Sequence, residues 1–289
     1  MSTHKLTFAK VSELVALKHT LFGLPMTLLA CFLALGEVSY TPFELFVKFF
    51  WIILAFTGAR TAGMAINRLF DEAVDAKNER TAHRALPRGL ISRRDVKIVV
   101  AASLLLFLGS IAVLNLKMLW VAPFIVVLLF FYSLAKRASA SCHFILGIIE
   151  FFAPVLGWWA FVGEVAPPAY ALGGAIFCWI SGMDIIYALQ DIHFDRTWGV
   201  YSLPAHFGRE RVLLLAKGLH GMALLHFVLA GLLVYAAWPY WLSLVLVTFC
   251  FVQQHRHPDR PSSFFGYNAA ISVTALAGAL GSSLCKLLS

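Results

Sequence analysis

The feature that most constrains this chain is a succession of apolar runs, each close to or beyond the ~20 residues a helix needs to cross a bilayer's hydrocarbon core. Nine are legible, at approximately residues 20–36, 44–67, 97–114, 118–135, 143–163, 170–190, 212–236, 238–252 and 264–285. A transmembrane barrel would show short alternating segments instead, so the pattern predicts an all-α, polytopic transmembrane bundle. Composition closes off the soluble alternative. Of 289 residues, 60% are hydrophobic and only 13% charged, too few charges to give a globular domain of this size a polar skin.

The first 18 residues contain Lys5, Lys10, Glu13 and Lys18 and no compact apolar segment ahead of a small-residue cleavage site. The first span is therefore expected to be kept as an anchor. Five cysteines, Cys31, Cys142, Cys178, Cys250 and Cys285, lie scattered in apolar segments without a C-x-x-C pair. They read as small buried hydrophobes, not as a disulfide frame or zinc site. The net charge of +8 follows topology and gives no reason to expect nucleic acid. With the N-terminus inside, 19 of the 23 basic residues fall on the inner side; Lys48, Lys117 and Lys286 fall outside and Arg60 within the second span. That bias predicts a cytoplasmic N-terminus. The long charged loops after spans two and six lie on the same side, and loops longer than a connection requires usually carry function.

At the end of span two, NRLFDEAVD places Asn67, Asp71 and Asp75 four residues apart. At ~100° per residue they share one helical edge, with Arg60 near the same meridian. In span six, Asp184, Tyr187, Asp191 and Asp195 follow at intervals of three, four and four, which on a continuous helix makes a second stripe. Facing acidic stripes repel unless a cation lies between them, and oxygen ligands at a wet site suit Mg2+, which commonly bridges to phosphate. The plainer alternative is that these are solvated loop-edge acids neutralised by Lys77, Arg80, Arg84 and Arg88. Asp184 argues against it, because a carboxylate within an apolar span ordinarily lines a cavity or meets a partner. Lys136 and Arg137, closing YSLAKR, could clamp a diphosphate opposite the metal, or simply mark a cytoplasmic helix end. Glu150, inside span five, is either a pocket residue or a neutral acid bonded to another helix.

Four segments, ARTAGMAINRLFDEAVDAKNERTAHRALPRG (59–89), YSLAKR (132–137), DIIYALQDIHFDR (184–196) and GVYSLPAHFG (199–208), together carry a family signature. The sequence resembles the UbiA superfamily of intramembrane aromatic prenyltransferases, particularly its 4-hydroxybenzoate polyprenyltransferase-like branch. The likeness covers nearly the whole chain and implies one domain over residues 1–289, with nine transmembrane helices around a central cavity open to the cytoplasmic side. It implies Mg2+ and donor diphosphate held by two aspartate-rich motifs: Asn67, Asp71 and Asp75 match the first, Asp191 and Asp195 the second, with Tyr187 leading into it. Tyr132 and Lys136 fit the family's Y-x3-K pattern, and Arg137 takes the adjacent basic position. Arg68 stands where many members have Asp, and Arg84-Ala85-Leu86-Pro87 replaces R-P-L-P.

The resemblance implies transfer of a polyprenyl group from its diphosphate to an aromatic ring, 4-hydroxybenzoate or a hydroxy-naphthoate, in ubiquinone or menaquinone synthesis. A bacterial inner membrane with a cytoplasmic site is the expected setting. Asp71, Asp75, Asp191, Asp195, Lys136 and Arg137 would then be catalytic. Asn67, Arg60, Tyr132, Asp184 and Tyr187 would bind substrate. The isoprenoid tail would lie among apolar helices, and Phe151, Phe152, Trp158 and Trp159 are aromatic faces available to steady a cation. A transporter or flippase for a phosphorylated lipid or ion is the alternative from another class, since intramembrane acids also line permeation paths.

Overall fold

The computed structural model describes residues 7–15, 17–135, 137 and 139–288, and their regular structure is all helical, with no strand among them. The helices are α1 (Phe8–Leu14), α2 (Leu17–Leu33), α3 (Pro42–Asp75), α4 (Arg93–Leu114), α5 (Ala122–Ala135), α6 (Cys142–Val162), α7 (Pro167–Ala188), α8 (Ile192–Trp198), α9 (Leu203–Phe207), α10 (Arg209–Leu233), α11 (Trp238–Arg256) and α12 (Pro261–Leu288). Nine of them coincide with the nine predicted apolar runs. By length and apolarity alone, α3, α4, α6, the α7–α8 stretch, α10 and residues 265–288 of α12 suffice to cross a membrane, while Gly23–Glu37 and α5 are shorter apolar helices.

Local chemistry starts the helices where the chain turns. Thr41 and Glu44 form a reciprocal capping box at the head of α3, with Pro42 in its first turn. Ser92 and Asp95 do the same for α4. Each box satisfies donors that the first helical turn leaves orphaned. The α3 helix then runs 34 residues without a break, ~50 Å at 1.5 Å per residue, so it outreaches the ~30 Å hydrocarbon core and carries its last turns into the polar zone.

The bundle closes on itself. Neighbouring pairs α3–α4, α6–α7, α7–α10 and α11–α12 pack closely, and α2 joins the two ends of the ring by lying against both α6 and α12. Small residues permit the tightest approach: a Cβ at Gly58 of α3 would fall 2.7 Å from the Phe107 backbone nitrogen of α4. Polar glue is buried between apolar faces, where unpaired groups are costly. The Trp179 indole and the Gln254 amide both donate to Asn268 Oδ1, at 2.9 and 2.8 Å, tying α7, α11 and α12 together. The outward surface is the reverse of a soluble protein's, with Phe43, Leu105, Val127, Leu214, Leu225 and Val245 all exposed. Together, the apolar exterior and long apolar helices are those of a multi-pass integral membrane protein.

One expectation needs correction. Asp184, Tyr187, Asp191 and Asp195 do not lie on one continuous helix: α7 ends at Ala188, Leu189–Asp191 form a 3-10 turn, and α8 begins at Ile192. Three residues per turn replace 3.6 across the junction, so the stripe predicted by α-helical spacing holds for Asp184 and Tyr187 only.

Candidate active site

A cavity of about 300 Å³ lies inside the bundle between α2, α3, α4, α5, α6 and α7. Its polar wall contains Arg60, Asn67, Arg68, Arg84, Glu150 and Asp184, with Tyr132 and Tyr187 beside them; the remainder is apolar, including Ile52, Phe107, Ile111, Met118 and Leu156. Arg60, Asn67, Tyr132, Glu150, Asp184 and Tyr187, all selected from the sequence, therefore share one chamber. Within it Arg60 of α3 donates to Glu150 Oε1 of α6 at 3.2 Å. Glu150 is thus a pocket residue paired with a cation on another helix.

The first acidic motif is held by a helix and clamped from a loop. Asn67 and Asp75 are buried on α3, and one Arg84 nitrogen lies 2.7 Å from both carboxylate oxygens of Asp75. Arg68 approaches Asp75 at 3.9 Å while donating to the Leu14 carbonyl at 3.2 Å, which fastens α1 against α3. Thr81 returns to the Asp75 carbonyl at 3.0 Å. The position that departs from the family pattern is therefore occupied by a buried guanidinium on the cavity wall.

The second motif is held by its neighbours. Arg80 donates to both oxygens of Asp191, at 3.1 and 2.6 Å, and to the Tyr187 hydroxyl at 2.8 Å. Its guanidinium carbon lies 5.2 Å from the Tyr187 ring centroid. Asn78 adds a third donor to Asp191 at 3.2 Å. Burial works against the Arg80 charge, but Asp191, with Tyr187 and Asp75 near by, outweighs it and raises the Arg80 pKa above the ordinary guanidinium value. Asp195, also buried, accepts from the Ser202 hydroxyl at 2.6 Å.

Each acidic motif thus meets a guanidinium, Arg84 at Asp75 and Arg80 at Asp191. Among the described residues no group of three or more acidic, histidine or cysteine side chains is arranged to hold a metal. The plainer reading of the sequence was half right: Arg80 and Arg84 do neutralise the acids, but Asp75 and Asp195 are buried and not solvated. Arg137 does not line the cavity; it donates to the Phe70 carbonyl at the end of α3. Lys136 lies outside the described residues. Of the four α6 aromatics selected from the sequence, Phe152 alone lines the cavity. Trp158 is core, and Trp159 donates to the Gly163 carbonyl. The aromatic walls that sequence reasoning missed are Phe56, Phe107 and Phe265.

It also missed His143. This residue is 3% exposed on α6, with Nδ1 2.6 Å from Asp184 Oδ2. Its signal was available: a polar ring at the start of an apolar run calls for a partner on the same grounds that singled out Asp184.

Comparison with known proteins accords with this geometry. Residues 23–271 match the model of the UbiA prenyltransferase family. A 4-hydroxybenzoate octaprenyltransferase of Pectobacterium atrosepticum is 32% identical over 235 residues, covering 79% of this chain and 77% of that protein. A mitochondrial 4-hydroxybenzoate polyprenyltransferase of Drosophila melanogaster is 36% identical over 161 residues, covering 53% and 40%. Among solved structures, a UbiA homologue from Aeropyrum pernix in its apo form superposes with a TM-score of 0.81 at 26% identity, covering 94% of this chain and 98% of that one. A UbiA homologue from Archaeoglobus fulgidus, solved with GPP and Mg2+, shares the fold with a TM-score of 0.70 at 19% identity over 95% and 99% of the two chains. With a cavity that joins charge to hydrocarbon and a family match across most of its length, this chain belongs to the UbiA prenyltransferase family.

Proposed function

We propose that this chain transfers a polyprenyl group from its diphosphate to the ring of an aromatic acid, 4-hydroxybenzoate being the acceptor its relatives favour, in a quinone-forming sequence. The observation that carries the reading is the composition of the cavity. One chamber joins guanidinium and carboxylate groups at one part of its wall to a hydrocarbon lining elsewhere, as a substrate with an anionic head and an isoprenoid tail requires. In this reading all nine long helices cross the membrane, residues 1–289 form one domain, and the acidic end faces the cytoplasm. A permeation path would need polar groups along its length, whereas Ile52, Ile111 and Met118 line this cavity with hydrocarbon.

The donor set fits Mg2+ on chemical grounds. Asn67, Asp71, Asp75, Asp191 and Asp195 offer hard oxygens, and magnesium takes one or two carboxylates along with water and phosphate instead of a full protein cage. Those residues would hold it, and when bound it would neutralise charge on the departing diphosphate. Arg68 and Arg84, already on the cavity wall, are placed to add charge-assisted hydrogen bonds to the same group. By the family resemblance, Lys136 and Arg137 would supply further positive charge to the diphosphate. Arg60, beside Glu150, would orient the acceptor's carboxylate. Phe152, Phe56 and Phe107 exclude water from an allylic cation that water would otherwise capture.

The test uses membranes containing the chain, a labelled polyprenyl diphosphate and a small panel of aromatic acids, with products identified by mass. A prenylated 4-hydroxybenzoate, lost on chelation and restored by Mg2+, is the expected result. Absence of a prenylated product from every acid overturns the reading.

A further inference from the structure

Three acids of the site face arginines: Asp75 faces Arg84, Asp191 faces Arg80, and Glu150 faces Arg60. Each of those pairs has no net charge. Asp184 faces a histidine instead, and the surroundings of that ring fix its state. His143 Nε2 lies 3.3 Å from the backbone nitrogen of Leu203, whose N–H points at it. A proton on Nε2 would set two donors against one another, so Nε2 is the acceptor and the ring proton sits on Nδ1, donated to Asp184 at 2.6 Å. A neutral imidazole bonded to a carboxylate leaves the pair with a charge of −1, on the cavity wall that Asp184 lines.

The scaffold behind the ring is built from three elements. Cys142, adjacent on α6, directs its thiol to the Tyr201 carbonyl at 3.8 Å. Leu203, which holds Nε2, opens α9, and Ser202 caps that helix by accepting from the Ala205 N–H while donating to Asp195. The same short turn therefore orients Asp195 and, through His143, Asp184. Fixing a ligand's or base's orientation through its second hydrogen-bond partner is the usual task of such a group.

We propose that His143 is a positioning residue for the transfer reaction: it holds Asp184 ionised, turned to the cavity, as the negative charge that faces the cationic ring and takes its proton. The inference rests on the prenyl-transfer reading above. The allylic C–O bond breaks and its electron pair leaves with the diphosphate; a π pair of the aromatic ring forms the new C–C bond. The ring proton freed on return to aromaticity passes to the Asp184 carboxylate and then to water. Glu150 suits that role less, because its Oε1 already accepts from Arg60 at 3.2 Å.

The test compares wild type with Asp184→Asn, His143→Phe and His143→Asn in the full membrane-embedded chain. Asp184→Asn is expected to lower kcat about 100-fold or more, with KM for the prenyl diphosphate within about threefold. His143→Phe should lower kcat about 10- to 100-fold, and His143→Asn, which keeps an N–H donor near the Nδ1 position, should recover most of it. Should His143→Phe fail to fold, the Asn and Asp184 variants decide. Wild-type kcat in Asp184→Asn, or a His143→Asn variant that folds yet is as slow as Asp184→Asn, overturns this proposal while leaving prenyl transfer intact. A wild type that prenylates no aromatic acid overturns both.

Discussion

The two acidic motifs read alike in sequence, Asp-x3-Asp each time, yet they are built differently. Asp71 and Asp75 sit on the unbroken tail of α3, so their relative placement is a property of one helix. Asp191 and Asp195 straddle the junction between a 3-10 turn and α8, where their placement depends on Asn78, Arg80 and Ser202 reaching in from elsewhere. One loop, residues 76–92, serves both, sending Arg84 to the first motif and Arg80 to the second. The difference teaches where each half is vulnerable. A helix-borne motif withstands loss of a neighbour, whereas a neighbour-borne motif does not.

Removing the carboxylates themselves should erase the contrast. Asp71→Ala and Asp191→Ala are each expected to cost about 100- to 1000-fold in kcat, the scale seen when one preorganised electrostatic group is lost. Product formation per folded enzyme in membranes checks this. Full activity in either variant would mean that the two motifs do not act on one substrate head.

Removing the clamps should sharpen it. Arg84→Ala leaves Asp75, 6% exposed, with Arg68 at 3.9 Å, and the loss is expected near 3 kcal/mol, as for one partner of a buried pair. Arg80→Ala should cost less, about 1 kcal/mol, because Arg80 is 34% exposed and screened by water. Activity should show the opposite order: Arg80→Ala frees the neighbour-borne Asp191, while α3 still directs Asp75. Thermal unfolding in one detergent, run beside turnover, separates the two effects. Ser202→Ala comes next, at about 1 kcal/mol for the lost α9 cap, with its activity loss carried by Asp195.

What could be read beforehand follows the same division. Apolar runs predict the helices, and the spacing of Asn67, Asp71 and Asp75 their shared place on α3, because both are local consequences of a 3.6-residue period. The α7–α8 break was invisible: DIIYALQDIHFD holds no proline or glycine to announce it. Its shape goes with hydrogen bonds from Asn78, Arg80 and Ser202, residues 7 to 113 positions away. Arg80 and Arg84 were legible as charges but not as clamps, since sequence shows how many arginines a loop has and not which carboxylate each one meets. His143 was passed over because its partner lies 41 residues on.

An exposed copy of the arginine–aspartate pair offers the mildest test. Arg209 donates to both oxygens of Asp259, at 2.6 and 2.7 Å, with Asp259 68% exposed. Both pairs are bidentate, Arg209 through its two terminal nitrogens and Arg80 through Nε and Nη2, with Asn78 a further donor to Asp191, and they differ most in burial. Hydrogen bonding to Arg209 lowers the Asp259 pKa. With a depressed folded-state pKa, its stabilisation is complete above the ordinary carboxylate pKa of about 4 and is lost as pH falls through the lower folded value. Asp259→Asn should therefore cost no more than about 0.5 kcal/mol at neutral pH, shrinking in salt and vanishing in acid. Equal costs for Asp259→Asn and Asp191→Asn in unfolding experiments would show that burial adds nothing to the site pair, and the distinction between clamped motif and surface bridge would fall.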